Sequence, residues 1–194
     1  MRLIARLDIK NNYLIKSIKY DGVRKIGNII DHAEKYYINK IDEIIITNVT
    51  GSLYKTKLDL ATLNSIRKKV HIPLSCGGGI QSVEDALSLM RNGSDKIIIN
   101  SIIHEDINVA EKIINTIGSS SVVGSIQYSN EKNFATYYRM GREKTGLNLR
   151  ETIQKYNKLG VGEILLTNIN KEGTFSGLDK DVINLIKEYN FIPI

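Results

Sequence analysis

Short runs of aliphatic and β-branched residues recur along the chain, and each is followed by a stretch with helical apolar spacing. The runs LIARLDI (3–9), EIIITNV (43–49), IPLSC (72–76), KIIINS (96–101), VVGSIQY (122–128) and EILLTNI (163–169) predict strands. FIPI (191–194) predicts the start of a seventh. Between them the spacing predicts helices near 28–40, 57–69, 82–92, 106–117, 147–160 and 179–189. Ser82 and Asp179 stand where helix N-caps belong. Runs that are apolar throughout belong to strands buried on both faces, as in a parallel sheet. Strict βα alternation gives an α/β fold, either a barrel or a doubly wound sheet.

An internal repeat favours the barrel. A shift of 120 residues sets Glu43-Ile44 on Glu163-Ile164 and Thr47-Asn48 on Thr167-Asn168. The same shift sets Ile66-Arg67 on Ile186-Lys187 and Ile72-Pro73 on Ile192-Pro193. A two-fold repeat of about four βα units per half is the plan of a (β/α)8 TIM barrel. The expectation is one domain over 1–194, with one half-barrel (1–120) and part of a second (121–194). By symmetry the second half calls for about 45–50 further residues, so the barrel is expected to be incomplete: about six βα units and the start of strand seven.

Composition narrows the classes. The 194 residues are 42% hydrophobic and 25% charged, enough for one sizeable core. No apolar run approaches the roughly 18 residues of a membrane helix, and MRLIARLDIKNN lacks the features of a signal peptide. A single cysteine, Cys76, excludes an internal disulfide framework, so a cytoplasmic location is expected. The net charge of +6 comes from dispersed lysines, with no Trp and three Phe, so neither nucleic acid nor a membrane is an expected partner. No metal and no cofactor is expected.

Candidate chemistry gathers at the C-terminal ends of the predicted strands, where barrels of this kind keep their working residues. Asp8 ends the first strand, where packing gives a carboxylate no purpose and burying it unpaired is costly. Lys16, in NNYLIKSIKY, is expected to return along a β-hairpin and hold Asp8 ionised. Gly77, Gly78 and Gly79 follow the third strand and open a helix, a backbone suited to an anion. Asn100 and Ser101 supply polar donors after the fourth strand, which makes a phosphate site. Gln127 ends the fifth strand opposite Asp8; an amide there can hydrogen-bond but cannot transfer a proton at neutral pH. Thr167, Asn168, Asn170, Glu172, Gly173 and Thr174 form a polar loop that reads as a substrate rim or as a turn. At the opposite end, Arg2, Glu43, Lys96 and Glu163 stand at strand starts and could close a neutral ring of ion pairs.

The motifs RLDIKNNYLIKSI, SCGGGIQSVEDA, NGSDKIIINS, KTGLNLRE and GVGEILLTNINKEGTFSG resemble those of the cyclase subunit of imidazole glycerol phosphate synthase, in order along the whole chain. The resemblance implies a full (β/α)8 barrel and a lyase that forms a heterodimer with a glutaminase. The glutaminase releases ammonia at the barrel floor. The ammonia passes a gate of four charges and attacks a phosphoribulosyl-formimino aminoimidazole carboxamide ribotide (PRFAR). The products are imidazole glycerol phosphate and an aminoimidazole carboxamide ribotide, in histidine biosynthesis. Carried over by motif, Arg2, Glu43, Lys96 and Glu163 match the gate, Asp8 the general acid or base, and Lys16 its companion. Gly79, Asn100 and Ser101 match one phosphate grip, beside Gly78.

The departures point elsewhere. Gln127 occupies the place of the family's second catalytic aspartate, and Asn48 and Asn170 stand where it has acids. Glu172 replaces an aspartate and keeps the charge. RLDIKN, VTGSLYKTK and GREKTG look closer to paralogues encoded with surface-polysaccharide genes, a resemblance that implies delivery of ammonia to a nucleotide-sugar precursor. Three functions follow: the PRFAR cyclase, an ammonia-dependent paralogue acting on a sugar, and a catalytically silent barrel that only activates a glutaminase.

Overall fold

The computed structural model describes residues 2–131 and 133–194. Strand β1 (Ile4–Lys10) leads into a hairpin, β2 (Tyr13–Ile18) and β3 (Asp21–Asn28), then helix α1 (Ile29–Ile38). Next come β4 (Glu43–Asn48), the short α2 (Gly51–Tyr54) and α3 (Leu60–Arg67). They are followed by β5 (Leu74–Gly77), α4 (Val83–Arg91), β6 (Lys96–Ile99), α5 (Ser101–Glu105) and α6 (Ile107–Ile117). The pattern then restarts: β7 (Val122–Tyr128), a hairpin of β8 (Ala135–Tyr138) and β9 (Glu143–Asn148), α7 (Leu149–Leu159), β10 (Glu163–Asn168) and α8 (Lys180–Ile186).

Strands β1, β4, β5, β6, β7 and β10 pair in parallel in that order, and each hairpin adds antiparallel arms at one strand. The result is an α/β fold around a mixed sheet, and it fits a TIM-barrel-like architecture. The main core lies between the outer face of the sheet and the helices, with Ile44, Ile46, Leu63, Ile66, Ile97 and Ile153 all sealed from solvent. Each such side chain contributes about 1.5–3 kcal/mol on burial. Alternation along the strands turns Ile45, Ile98 and Val123 to the other face, where they pack with Ile4 and Leu165 as a separate apolar layer.

Caps explain where the helices begin. Asn28 accepts from Ile30 N at 2.7 Å, Ser82 from Asp85 N at 3.2 Å, and Asn148 and Glu151 form a capping box. Asp179, expected to cap α8, makes no such bond. Its carboxylate turns instead to Tyr128 and Asn168, which offer stronger partners. FIPI does not form a strand. Even so, Pro193 O accepts from Ile164 N at 2.8 Å, the counterpart of Pro73 O and Ile44 N at 3.0 Å. The sequence pattern gives no sign of the β8–β9 hairpin, because ATYYRMGREKTGLN carries charge and turn residues throughout.

The repeat therefore reaches individual bonds. Val49 N donates to Ile9 O and Ile169 N to Tyr128 O. Both hairpins return to a helix-capping asparagine, with Tyr13 facing Asn28 and Ala135 facing Asn148. Both turn through two residues of positive φ, Lys19-Tyr20 (53° and 63°) and Arg139-Met140 (48° and 56°).

Candidate functional site

The C-terminal ends of the parallel strands bring Asp8, Gly78, Gly79, Asn100, Gln127 and Thr167 to one end of the sheet. Asp8 is buried, and its cation is Arg6, whose Nε donates to Asp8 Oδ1 at 2.9 Å. Arg6 Nη1 donates to Thr167 Oγ1 at 2.8 Å, and Nη2 donates to Tyr20 OH at 3.4 Å. Burial opposes the charge on Arg6, but Asp8 and Tyr20 outweigh it and hold the guanidinium charged well above its ordinary range. Burial likewise raises the Tyr20 phenol, so it stays a neutral hydroxyl.

Lys16 does return along a hairpin, yet it meets Glu172 rather than Asp8. Lys16 Nζ donates to Glu172 Oε1 at 2.7 Å, and Ser17 Oγ donates to Oε2 at 3.1 Å. The expected companionship with Asp8 is corrected by reach: β2 carries Lys16 onto the loop after β10, while Arg6 shares a strand with Asp8. Gly173 belongs to that loop, and a Cβ there would come within 2.1 Å of Ser17 O, so glycine permits the docking.

The glycines after β5 serve packing as well as access. At Gly78 (φ +99°) a Cβ would meet Asn48 O at 2.1 Å, and at Gly79 (φ +77°) it would meet Thr56 O at 2.1 Å. Asn48 Nδ2 lies 3.3 Å from both Thr56 O and Thr56 Oγ1, which closes the loop after β4 on itself, and the glycines after β5 pack against it. A small cavity of about 60 Å³ opens beside them, lined by Arg6, Thr47, Gly79, Asn100, Ser101 and Gln127 among others. Thr47 Oγ1 and Asn100 Oδ1 are buried without a hydrogen-bond partner, which leaves polar capacity unused there. Gln127 Oε1 accepts from Gly141 N at 2.7 Å, so the amide holds the tip of the β8–β9 hairpin. Asn168 donates to Asn130 Oδ1 and to Asp179 Oδ2, and Asn170 accepts from Asn130 N, which makes this part of the rim a local network. Tyr128 is pushed up by burial and by Asp179 beside it.

At the other end the four strand-start charges close a ring. Arg2 pairs with Glu43 at 2.8 Å and with Glu163; Lys96 pairs with Glu163 at 2.7 Å and with Glu43 at 3.4 Å. Ser75 Oγ also donates to Glu43 at 2.6 Å, and Glu43 is almost fully buried. The apolar layer of Ile4, Ile45, Ile98, Val123 and Leu165 follows directly along the same strands. A wider cleft of about 950 Å³ runs beside β10, lined by Arg2, Arg6, Lys16, Thr167, Glu172 and Asp179 among others.

The sequence reading missed Arg6, Tyr20 and Asp179 as parts of the site. The available signal for Arg6 was a second charge in an apolar strand, two residues before Asp8. Among the described residues, no group of three His, Cys, Asp or Glu is placed to hold a metal ion. No described helix is long and apolar enough to cross a membrane.

Residues 2–194 match the family model described as histidine biosynthesis protein. Over 194 residues the chain is 34% identical to the imidazole glycerol phosphate synthase subunit HisF of Pyrococcus furiosus, spanning all of this chain and 77% of that protein. It is 37% identical over 196 positions to the subunit of the same name from Legionella pneumophila, spanning all of this chain and 92% of that one. A Lactococcus lactis subsp. cremoris subunit of that name is 35% identical over 196 positions, with 76% of its length covered.

Proposed function

The chain belongs to the histidine biosynthesis protein family, and on that premise we propose that it is an ammonia-using cyclase subunit of the imidazole glycerol phosphate synthase type. One observation carries the reading: the ring of Arg2, Glu43, Lys96 and Glu163 closes at one end of strands whose other ends hold Asp8 and the glycine turn. An apolar layer follows the ring, which suits neutral ammonia and not ammonium. Ammonia from a glutaminase partner docked beneath the ring enters there and meets the acceptor at the mouth. Asp8 is the proton-handling group. Lys16, with Glu172, Gly173 and Thr167, borders the acceptor. Backbone N–H groups at Gly78 and Gly79, with Asn100 and Ser101, hold a phosphate, and the unpartnered Thr47 and Asn100 oxygens support a polar ligand there.

PRFAR is the acceptor in this reading, and the compartment is the cytoplasm. The architecture is a (β/α)8 plan whose two repeats are 1–120 and 121–194, supported by the matching backbone bonds of the two segments. The test is ammonia-dependent turnover of PRFAR by the purified chain. Asp8→Asn should lower the rate by about 10²–10⁴-fold, the usual loss of a general acid or base. Turnover unaffected by that change would end the proposal.

Gln127 favours a second reading. It supplies an amide already bonded to Gly141, where PRFAR chemistry would use a second carboxylate. An acceptor with smaller demands for proton transfer, a nucleotide-sugar precursor in surface polysaccharide synthesis, fits that change. Gln127→Asp should raise PRFAR turnover under the first reading, and no gain favours the second. Stimulated glutamine hydrolysis with turnover of neither acceptor would leave only a glutaminase-activating role.

A further inference from the structure

On the inner face Arg6 stands beside three short polar side chains, Thr47, Ser125 and Thr167. Arg6 and Asp8 lie two residues apart on β1, so both project to the same side of the sheet. The guanidinium is tied at three points on three separate segments: Asp8 on β1, Thr167 on β10 and Tyr20 in the β2–β3 turn. A planar, rigid fork held at three points cannot pivot without losing a bond. Its hold on Asp8 is through Oδ1 alone; Oδ2 accepts no hydrogen bond from any described residue.

We propose that Arg6 is the positioning residue for Asp8. By occupying Oδ1 it fixes the rotation of the carboxylate and leaves Oδ2 to exchange a proton with the acceptor. A carboxylate at a strand end otherwise turns freely about its last bond, and its oxygens sweep the mouth. Arg6 also offsets the cost of keeping Asp8 charged while buried, as any cation would. Positioning is the added claim, and it belongs to the fork geometry rather than to the charge. The inference rests on the cyclase reading for the identity of the acceptor, but not for the contact between Arg6 and Asp8.

The experiment separates the two. In the full chain labelled with 15N, the Arg6 Nε–H signal should be protected from solvent exchange and should lose that protection in Asp8→Ala, which removes both carboxylate oxygens. Absence of protection in the unmodified chain overturns the proposal whatever the acceptor. With PRFAR and saturating ammonia, Arg6→Lys keeps the charge and removes the fork. It should lower kcat by about 10–100-fold with KM nearly unchanged, the scale of loss when a reacting group is misplaced by about 1 Å. Tyr20→Phe, which removes one tether and keeps the fork, should give a smaller fall of the same kind. An unchanged kcat in Arg6→Lys, or a raised KM at constant kcat, overturns the proposal, since the first makes Arg6 a mere counter-charge and the second makes it a ligand for the acceptor. Protection of Nε–H with no PRFAR turnover by the unmodified chain overturns only the acceptor reading and supports the contact.

Discussion

The basal ring gives the most direct test, through Glu43→Gln. Glu43 is 3% exposed at its side chain and receives Ser75 Oγ at 2.6 Å, Arg2 at 2.8 Å and Lys96 at 3.4 Å. Glutamine keeps the size and one oxygen, so the Ser75 bond survives. What is lost is one charge-assisted bond, worth about 1.5–3 kcal/mol in a buried setting. Arg2 is 48% exposed, which discounts its share through solvent screening. Arg2 and Lys96 also keep Glu163, so neither cation is stranded, but two cations then share one anion. The net cost comes to about 2 kcal/mol, or a fall in Tm of about 4–8 °C for a chain of this size. Thermal unfolding followed by circular dichroism measures it. A double-mutant cycle with Lys96→Met should show coupling above about 0.5 kcal/mol. A Tm within about 1 °C of the unmodified chain, or strict additivity in the cycle, would refute the argument that the ring is a coupled network.

The remaining predictions use other parts of the molecule. Gly78→Ala should lower stability by roughly 2–5 kcal/mol in urea unfolding, because its Cβ would overlap Asn48 O at a positive φ. Gly22→Ala, also at positive φ but with open space around it, should cost only about 1 kcal/mol. His104 is depressed from 6.5 to about 4 by burial and by Lys155. The unfolded chain therefore binds the proton first, so stability is full above pH 6.5 and falls by up to about 3 kcal/mol as the pH drops to about 4. Urea midpoints across that range should flatten in His104→Phe. The Cys76 thiol, pushed up to about 12 by burial, should resist thiol reagents at pH 8 in the native chain and react fully once unfolded.

Much of this architecture was legible in the residue pattern, because strands buried on both faces carry continuous apolar runs and their helices carry caps. VVGSIQY, read as 122–128, is strand β7 at the same residues. The four ring charges were also legible, since the starts of parallel strands lie at one end of the sheet. What the pattern could not give was side-chain reach. Lys16 and Arg6 are both cations within ten residues of Asp8, and only the hairpin geometry decides which one meets it. The β8–β9 hairpin was hidden for a similar reason. Charge and turn residues mask its pattern, and partners distant in sequence tie it down: β8 pairs with β7, Gln127 Oε1 accepts from Gly141 N, and Arg139 and Arg142 reach Glu105 and Asp21. Asp179 looked like a cap because caps are judged from neighbours in sequence, while its actual partners, Tyr128 and Asn168, are brought to it by the sheet.

The bond-for-bond likeness of the two segments makes parts of them portable. Glu43 and Glu163, Ile45 and Leu165, Thr47 and Thr167, and Asn48 and Asn168 occupy matched places, so the two strands carry nearly the same inner surface. Exchanging residues 43–48 with 163–168 would change little that either neighbouring strand can sense: the amides would find their old carbonyls and the ring its old charges. The chain thus has a built-in tolerance for recombination between its own parts, while the asymmetry that distinguishes Asp8 from Gln127 sits on the partner strands, outside the exchanged pieces.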